Sequence, residues 1–268
     1  MTGAGQALFG DLGLRIGSAL VMAVIGVAAA WAGGLWFALL VALVTAAMLW
    51  EMLTMLGPAP EARAARLALA AGGGAMVTAG SLLLAPWMVL PILLLPAVVA
   101  GMILPRLRQA GAGYALLICL AAHALIVLRI EYGLPWLLWL VLLVVGSDMA
   151  GYFAGRILGG PKFWPRISPK KTWSGTVAGW LAGLAIGAAF LGPLGVGAGL
   201  MVLSLLVVMA GQLGDIAESA LKRRVGVKDS SNLIPGHGGV LDRFDALIAA
   251  AALFLLVARF GLAAPGAY

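Results

Sequence analysis

The chain has 268 residues but a single cysteine, two histidines and only 10% charged residues. Cys119, standing alone, excludes a disulfide framework and a thiolate metal cluster. No G-x-x-x-x-G-K-[ST] run occurs anywhere, so an ATP-hydrolysing P-loop is absent. The shortage of charge is matched by an excess of apolar residues, 63% of the chain, with a mean hydropathy of +1.09 and repeated apolar runs near 20 residues. These values lie outside the range of a soluble domain of this length, and the chain reads as an all-α, polytopic integral membrane protein. Lysine and arginine number 17 against 10 acidic residues. In such a chain the net charge of +7 points to membrane lipid headgroups or phosphate-bearing substrates rather than nucleic acid, and part of it serves orientation.

Apolar windows of spanning length fall near 14–31, 34–56, 65–83, 85–104, 111–129, 134–157, 172–191, 196–220 and 242–261, about nine transmembrane helices. The boundaries are softest at Trp31-Ala32-Gly33-Gly34 and at Ala85-Pro86, where eight or ten spans also fit. Because one apolar run follows another at once and no small-residue cleavage site precedes a polar start, a cleavable signal peptide is not expected. Positive charge gathers after alternate spans: Arg63 and Arg66, then Arg106 and Arg108, then Arg156, Lys162, Arg166, Lys170 and Lys171, then Lys222, Arg223, Arg224 and Lys228. The remaining loops hold only Arg129. The positive-inside rule then puts the N-terminus and the basic loops in the cytoplasm, and an active site built on those loops would face the cytoplasm from the cell's inner membrane.

The chain divides by chemistry. Residues 1–130 read as N-terminal helices for packing, lipid contact and dimerisation, with Glu51 and His123 as their notable polar residues, and 131–268 as the catalytic region. His123 reads as a helix-packing residue. In the seventh span Gly175, Gly179, Gly183 and Gly187 recur at every fourth position, a ridge that lets another helix approach closely, either from the same chain or from a second subunit.

Asp148, Asp215, Glu218, Asp242 and Asp245 lie in or beside predicted spans. A carboxylate at mid-membrane costs about 2.5–3.5 kcal/mol, so these must be paired, hydrated or metal-bound. Asp215 and Glu218, like Asp242 and Asp245, are three apart and share a helix face. Hard oxygen ligands with so few cysteines and histidines favour a Mg²⁺-type ion over zinc. Beside them stand Lys222, Arg223, Arg224, Lys228 and Arg243. Carboxylates for a metal and cations for phosphate oxygens are the equipment of phosphoryl or nucleotidyl transfer. The plainer alternative is that these charges pair with one another and anchor helix ends. In "RISPKKTWSG" Ser168 is a good N-cap and Pro169 a good first residue, so a helix is expected there with Lys170 and Lys171 in its first turn, forming an anion site. The plainer reading of that loop is positive-inside anchoring. Gly236, Gly238 and Gly239 around His237 form a turn whose amides can approach phosphate, and His237 is either a nucleotide contact or a turn filler.

Residues 219–245, "SALKRRVGVKDSSNLIPGHGGVLDRFD", resemble the signature of phosphatidate cytidylyltransferases, with Ser, Lys-Arg, Lys-Asp, Pro-x-His-Gly-Gly and Asp-Arg-x-Asp at that family's spacing. "SDMAGYFAGRILGG" and "ISPKKTWSG" are similar to it as well, so the motifs cover roughly 146–245. The resemblance implies a membrane enzyme that joins CTP to phosphatidic acid, giving CDP-diacylglycerol and pyrophosphate, with Mg²⁺ and in some members K⁺, commonly as a homodimer. By position it implies that Asp215 and Asp242 hold metal, with Asp148 lining the pocket and Asp245 in the same acidic set. Lys222, Arg223, Lys228, Lys170 and Lys171 would neutralise phosphates, while Ser168, Thr172, Arg243 and His237 with Gly238 and Gly239 would contact substrate. Where the family often carries Glu after "SPKKTW", this chain has Ser174, and Glu218 is the candidate to replace it. Competing readings are a cytidylyltransferase for an isoprenoid or ether lipid phosphate, a cation-coupled transporter, and a non-catalytic scaffold. Against the transporter stand the crowding of acids beside basic loops and the absence of an inverted repeat.

Overall fold

A computed structural model describes residues 3–57 and 63–259 of the protein. Its helices are α1 (Gly3–Ala32), α2 (Gly34–Leu56), α3 (Arg63–Leu83), α4 (Pro86–Ile103), α5 (Arg108–Val127), α6 (Leu134–Ile157), α7 (Trp173–Ala189), the single turn α8 (Leu191–Leu194), α9 (Gly199–Val225) and α10 (Leu241–Arg259). A π-helical turn, Leu128–Tyr132, extends α5, and a hairpin of β1 (Lys162–Trp164) and β2 (Ser168–Thr172) joins α6 to α7. Among the described residues, α2, α3, α5 with its extension, α6 and α9 are long and apolar enough to cross a membrane, and three shorter apolar helical stretches lie at Ile16–Ala32, Trp87–Ile103 and Trp173–Ala189. The ninth expected window falls on α10, and its last residues, 260–261, lie outside the described residues. Helices suit such a chain because lipid offers backbone amides no partner. The protein is an integral membrane protein, and Val24, Leu43, Leu83, Met102 and Leu181 turn outward as lipid-facing side chains do.

Element boundaries follow local chemistry. Gly33, at φ 64°, breaks α1 from α2, a conformation that glycine adopts without strain. Arg129 closes this corner from across the bundle, its Nε donating to Ala30 O at 2.7 Å and its Nη2 to Trp31 O at 3.2 Å, carbonyls that the end of α1 leaves unpaired. Trp31, Trp36 and Trp87 are exposed at the α1–α2 and α3–α4 turns, where indoles suit the headgroup level.

The stretch around Ser168 differs from the expected helix start. Residues 168–172 form β2, with Lys162 opposite Thr172 and Trp164 opposite Ser168, and α7 begins only at Trp173. Thr172 is the N-cap, its Oγ1 accepting from Gly175 N at 3.2 Å. The later start keeps two lysines out of a first turn whose dipole would repel them, and Pro169 is tolerated in an edge strand. Along β2 Lys170 is exposed and Lys171 is half-buried.

The glycine ridge of α7 packs within the chain. A Cβ on Gly175 would lie 2.5 Å from Gly151 O of α6, one on Gly179 2.8 Å from Gln212 Nε2, and one on Gly183 2.8 Å from Val208 of α9. The bulky filling lies toward the opposite end of the bundle, where Trp139 is fully buried, stacks edge-on with Trp136 and Phe254, and donates Nε1–H to Ser204 Oγ at 3.0 Å. α10 in turn lies against α9 through Gly211 and Gly214, and a Cβ on Gly214 would stand 2.6 Å from Asp245 O and 2.7 Å from Ala249 Cβ. That approach holds the acidic residues of the two helices at one level. Gly214→Ala must push the helices apart, and overpacking of this kind costs about 1–3 kcal/mol. Thermal unfolding in detergent is expected at lower temperature for Gly214→Ala, with activity falling alongside it.

Candidate active site

The site begins with three residues of α9 on one face, Asp215, Glu218 and Lys222, at spacings that stack them. Lys222 is 8% exposed and its ammonium lies 2.7 Å from Glu218 Oε2 and 2.7 Å from Asp242 Oδ1. Asp242, in the first turn of α10, uses Oδ2 as well, accepting from Gly239 N at 2.8 Å, Ser230 N at 2.9 Å and Ser230 Oγ at 3.0 Å. Lys171 reaches from β2 to form an ion pair with Asp215 Oδ2, while Ser219 Oγ donates to Asp215 Oδ1 at 3.3 Å. Lysines thus pair with acids from the hairpin to the start of α10.

Three carboxylates, Asp215, Glu218 and Asp245, each offer an oxygen within 4.8 Å of the others. Glu218 is fully buried, and its Oε1 has no hydrogen-bond partner, whereas Asp245 Oδ1 accepts from Ala246 N at 2.7 Å. Like charges this close repel in a poorly polarisable setting unless a cation stands among them. Asp242 stands outside this group: its oxygens are occupied by Lys222, Ser230 and Gly239, so the acids gathered with Asp215 are Glu218 and Asp245. Asp148, exposed on α6, is near enough to feel the charges of Lys171 and Asp215.

The loop from α9 to α10 forms the second part. Gly226, at φ 78°, ends α9, and Ile234 N donates to Gly238 O at 2.8 Å while His237 N donates to Ile234 O at 3.0 Å, closing a tight turn. Gly236 and Gly238, at φ 75° and 83°, adopt a conformation that side chains disfavour. A polar cavity of about 460 Å³ opens here, lined among others by Lys228, Asp229, His237, Gly238 and Arg243. Ser18 of α1 meets His237 Nδ1 at 2.8 Å and donates to Pro235 O at 3.1 Å, so α1 braces the turn.

Glu51 of α2 anchors this loop from the N-terminal half. It is fully buried and accepts from Ser231 Oγ at 2.6 Å, Ser230 Oγ at 3.2 Å, Val240 N at 2.9 Å and Leu241 N at 2.6 Å. The last two are amides that the start of α10 cannot pair within the helix, and a carboxylate is well matched to them. Gly239 makes the grip possible, because a Cβ there would collide with Ser230 Oγ and stand 2.8 Å from Glu51 Oε2.

Not every expected group turns inward. Arg223 is exposed and donates to Val227 O at 3.2 Å, and Ser168 and Lys170 belong to the hairpin. Thr172 is occupied as an N-cap. Ser174 donates to Gly159 O at 2.5 Å and lies 3.0 Å from Thr172 Oγ1, so it braces the hairpin rather than the acids. The sequence did carry a signal for Glu51, since a carboxylate inside an apolar span marks a partner or a function.

The "Cytidylyltransferase family" matches residues 13–260 of the chain. A protein of Brucella suis biovar 1 (strain 1330) named phosphatidate cytidylyltransferase is 38% identical over 262 residues, covering 92% of this chain and 93% of that protein. One of the same name from Brucella melitensis biotype 1 is 38% identical over 263 residues with the same coverage. A third, from Bacillus subtilis (strain 168), is 41% identical over 134 residues, 48% of this chain and 50% of its own. Matched over nearly its whole length by the family and by relatives of this name, the chain belongs to the cytidylyltransferase family.

Proposed function

We infer that the chain is a phosphatidate cytidylyltransferase, joining CTP to phosphatidic acid to give CDP-diacylglycerol and pyrophosphate. The observation that carries the reading is the cluster of the acids Asp215, Glu218 and Asp245 with Lys171 and Lys222, on the helices that flank the loop cavity lined by Lys228, His237 and Arg243. The relatives that match over 92% of the chain carry this name. The nine crossings expected from the sequence, with the N-terminus inside, put this pocket at the cytoplasmic face of the inner membrane, where it meets CTP from the cell and phosphatidate from the bilayer.

The reaction brings two polyanions together. A phosphatidate oxygen attacks the α-phosphorus of CTP, a new P–O bond forms, the bond from the α-phosphorus to the oxygen bridging it to the β-phosphorus breaks, and the electron pair leaves with pyrophosphate. Phosphatidate is already an anion near neutral pH, so no strong base is needed. The chain's work is positioning and charge neutralisation. Lys228 and Arg243 attract the triphosphate in the polar cavity, with the amides of the His237 turn at its wall. Lys171 draws the hairpin onto Asp215, and Lys222 fixes α9 against α10 so that the acids keep their spacing.

The acids fit a hard divalent cation such as Mg²⁺, because they are oxygen donors and Glu218 Oε1 is buried without a partner. Asp215, Glu218 and Asp245 would hold it, and when bound it offsets phosphate charge in the transition state. Asp242 instead holds the loop through Ser230 and Gly239.

The test is pyrophosphate release by detergent-purified protein given CTP, phosphatidic acid and Mg²⁺ together, with single omissions and with ATP and an isoprenoid phosphate as controls. Release that needs all three is expected, and release with the isoprenoid phosphate alone would move the assignment to that lipid. Asp215→Asn and Asp245→Asn are each expected to lower kcat by about 100-fold or more, with unchanged membrane insertion, and near-normal rates in both would remove the metal assignment. Glu51→Ala leaves the Val240 and Leu241 amides and the Ser231 hydroxyl without their acceptor, and bonds to a charged group are worth about 1.5–3 kcal/mol each. Unfolding at lower temperature and a reduced rate are expected from Glu51→Ala, read by a thermal scan and the same assay.

A further inference from the structure

Tyr114 of α5 is 5% exposed, and its hydroxyl oxygen is buried with no hydrogen-bond partner. A phenol buried in this way normally finds one, and leaving it unmet is costly. The ring lines a cavity of about 270 Å³ between α5 and α9, whose other walls are Ala110, Ala217, Ala220, Leu221 and Arg224. Arg224 is exposed at the end of α9, and it has neither ion-pair nor hydrogen-bond partner among the described residues.

The cavity shares a helix with the acidic site. Ala217 and Leu221 adjoin Glu218 and Lys222 in sequence, and Tyr114 lies within electrostatic reach of Glu218, Asp245, Asp215 and Asp242. Four of the cavity's six lining residues, Ala110, Ala217, Ala220 and Leu221, are aliphatic. It suits a molecule with alkyl chains and an acceptor oxygen beside them, and Arg224 at its wall offers a cation to an anionic head. The volume is below the roughly 300 Å³ at which pockets for whole small ligands begin, enough for the glycerol and first methylenes of a lipid whose chains continue outward between the helices.

We propose that the cleft between α5 and α9 seats the ester-bearing glycerol end of the lipid substrate, with the Tyr114 hydroxyl donating to an ester carbonyl oxygen. The proposal rests on the phosphatidate reading above and adds to it the recognition group and the lipid's place. Tyr114 is here a specificity residue, separate from the groups that neutralise phosphate.

Tyr114→Phe removes one oxygen and keeps the ring, so it separates recognition from packing. Equilibrium binding of diacyl phosphatidic acid in detergent micelles, measured without CTP, is expected to weaken about tenfold, the loss of one good hydrogen bond. The KM for CTP should stay within about twofold, and thermal stability should hold or rise because the unmet donor is gone. A dialkyl ether analogue of phosphatidate, which has no carbonyl, should bind wild type and Tyr114→Phe alike. Ala217→Leu, which fills the cavity, should weaken lipid binding and leave the KM for CTP unchanged. Unchanged diacyl binding in Tyr114→Phe, an equal loss for the ether lipid, or a shift in the CTP KM instead would each overturn the proposal. Hydroxyl-dependent lipid binding in a protein that releases no pyrophosphate would sustain the site and sink the reaction, so the two failures are told apart.

Discussion

A carboxylate shut away from water must have its oxygens met, and Glu51 is met by parts of the chain almost two hundred residues away. Its partners are two serines of the α9–α10 loop and the first amides of α10. Through Ser230 the grip passes to Asp242, through Asp242 to Lys222, and through Lys222 to Glu218. Each member is costly to bury alone and stable only with its neighbours, and partly satisfied networks of this kind are worse than none. The loop's conformation, the start of α10 and the placement of the acidic helix face are therefore one cooperative unit. Gly239 is part of it, since any side chain would occupy the space where Glu51 and Ser230 meet.

The same unit needs helices that come unusually close. In lipid there is no hydrophobic drive to press helices together, so contact comes from close-fitting backbone. Gly151 against Gly175 joins α6 to α7, Gly183 and Gly187 admit Val208 and Ser204 of α9, and Gly214 admits α10. The chain concentrates bulk at Trp136, Trp139 and Phe254, while Gly211 and Gly214 stand beside the acids of α9 and α10. Rigid aromatic packing toward one end and close backbone contact at the other leave the acidic end little freedom to spread when carboxylates repel.

Much of this was legible in the sequence because charge is so scarce there. Eight of the nine apolar windows coincide with apolar helical stretches, and Asp215 and Glu218 of α9 lie beside Asp245 of α10, where the three-residue spacing implied only shared helix faces. What spacing could not convey was the partner of each group. Asp242 and Asp245 share a helix face on paper, and in the structure the first-turn Asp242 accepts from the amides of Ser230 and Gly239 while Asp245 lies beside Asp215 and Glu218. Arg223 and Lys222 are neighbours, and the helix turns one inward and the other to solvent. Ser168 and Thr172 both have N-cap chemistry, and the choice between them was made by the two lysines in between, which a helix start repels and a strand accommodates. Glu51 was visible as an oddity in an apolar span, but its partners lie far along the chain, beyond the reach of any local rule.

The position of the site follows from the substrates. One is a soluble polyanion and the other an anion tethered to two acyl chains, so their phosphates can meet only where water and hydrocarbon adjoin. At that depth exposed charge is screened and deeply buried charge is too costly, and α9 crosses the gradient. Its outer apolar residues Val202, Leu206 and Leu213 face outward, its last turn carries Lys222, Arg223 and Arg224, and the acids lie in between. Charge is therefore set against the membrane because the chemistry has no other place to occur. The buried network anchored by Glu51 keeps that charge from either sinking unpaired into the bundle or dispersing into solvent.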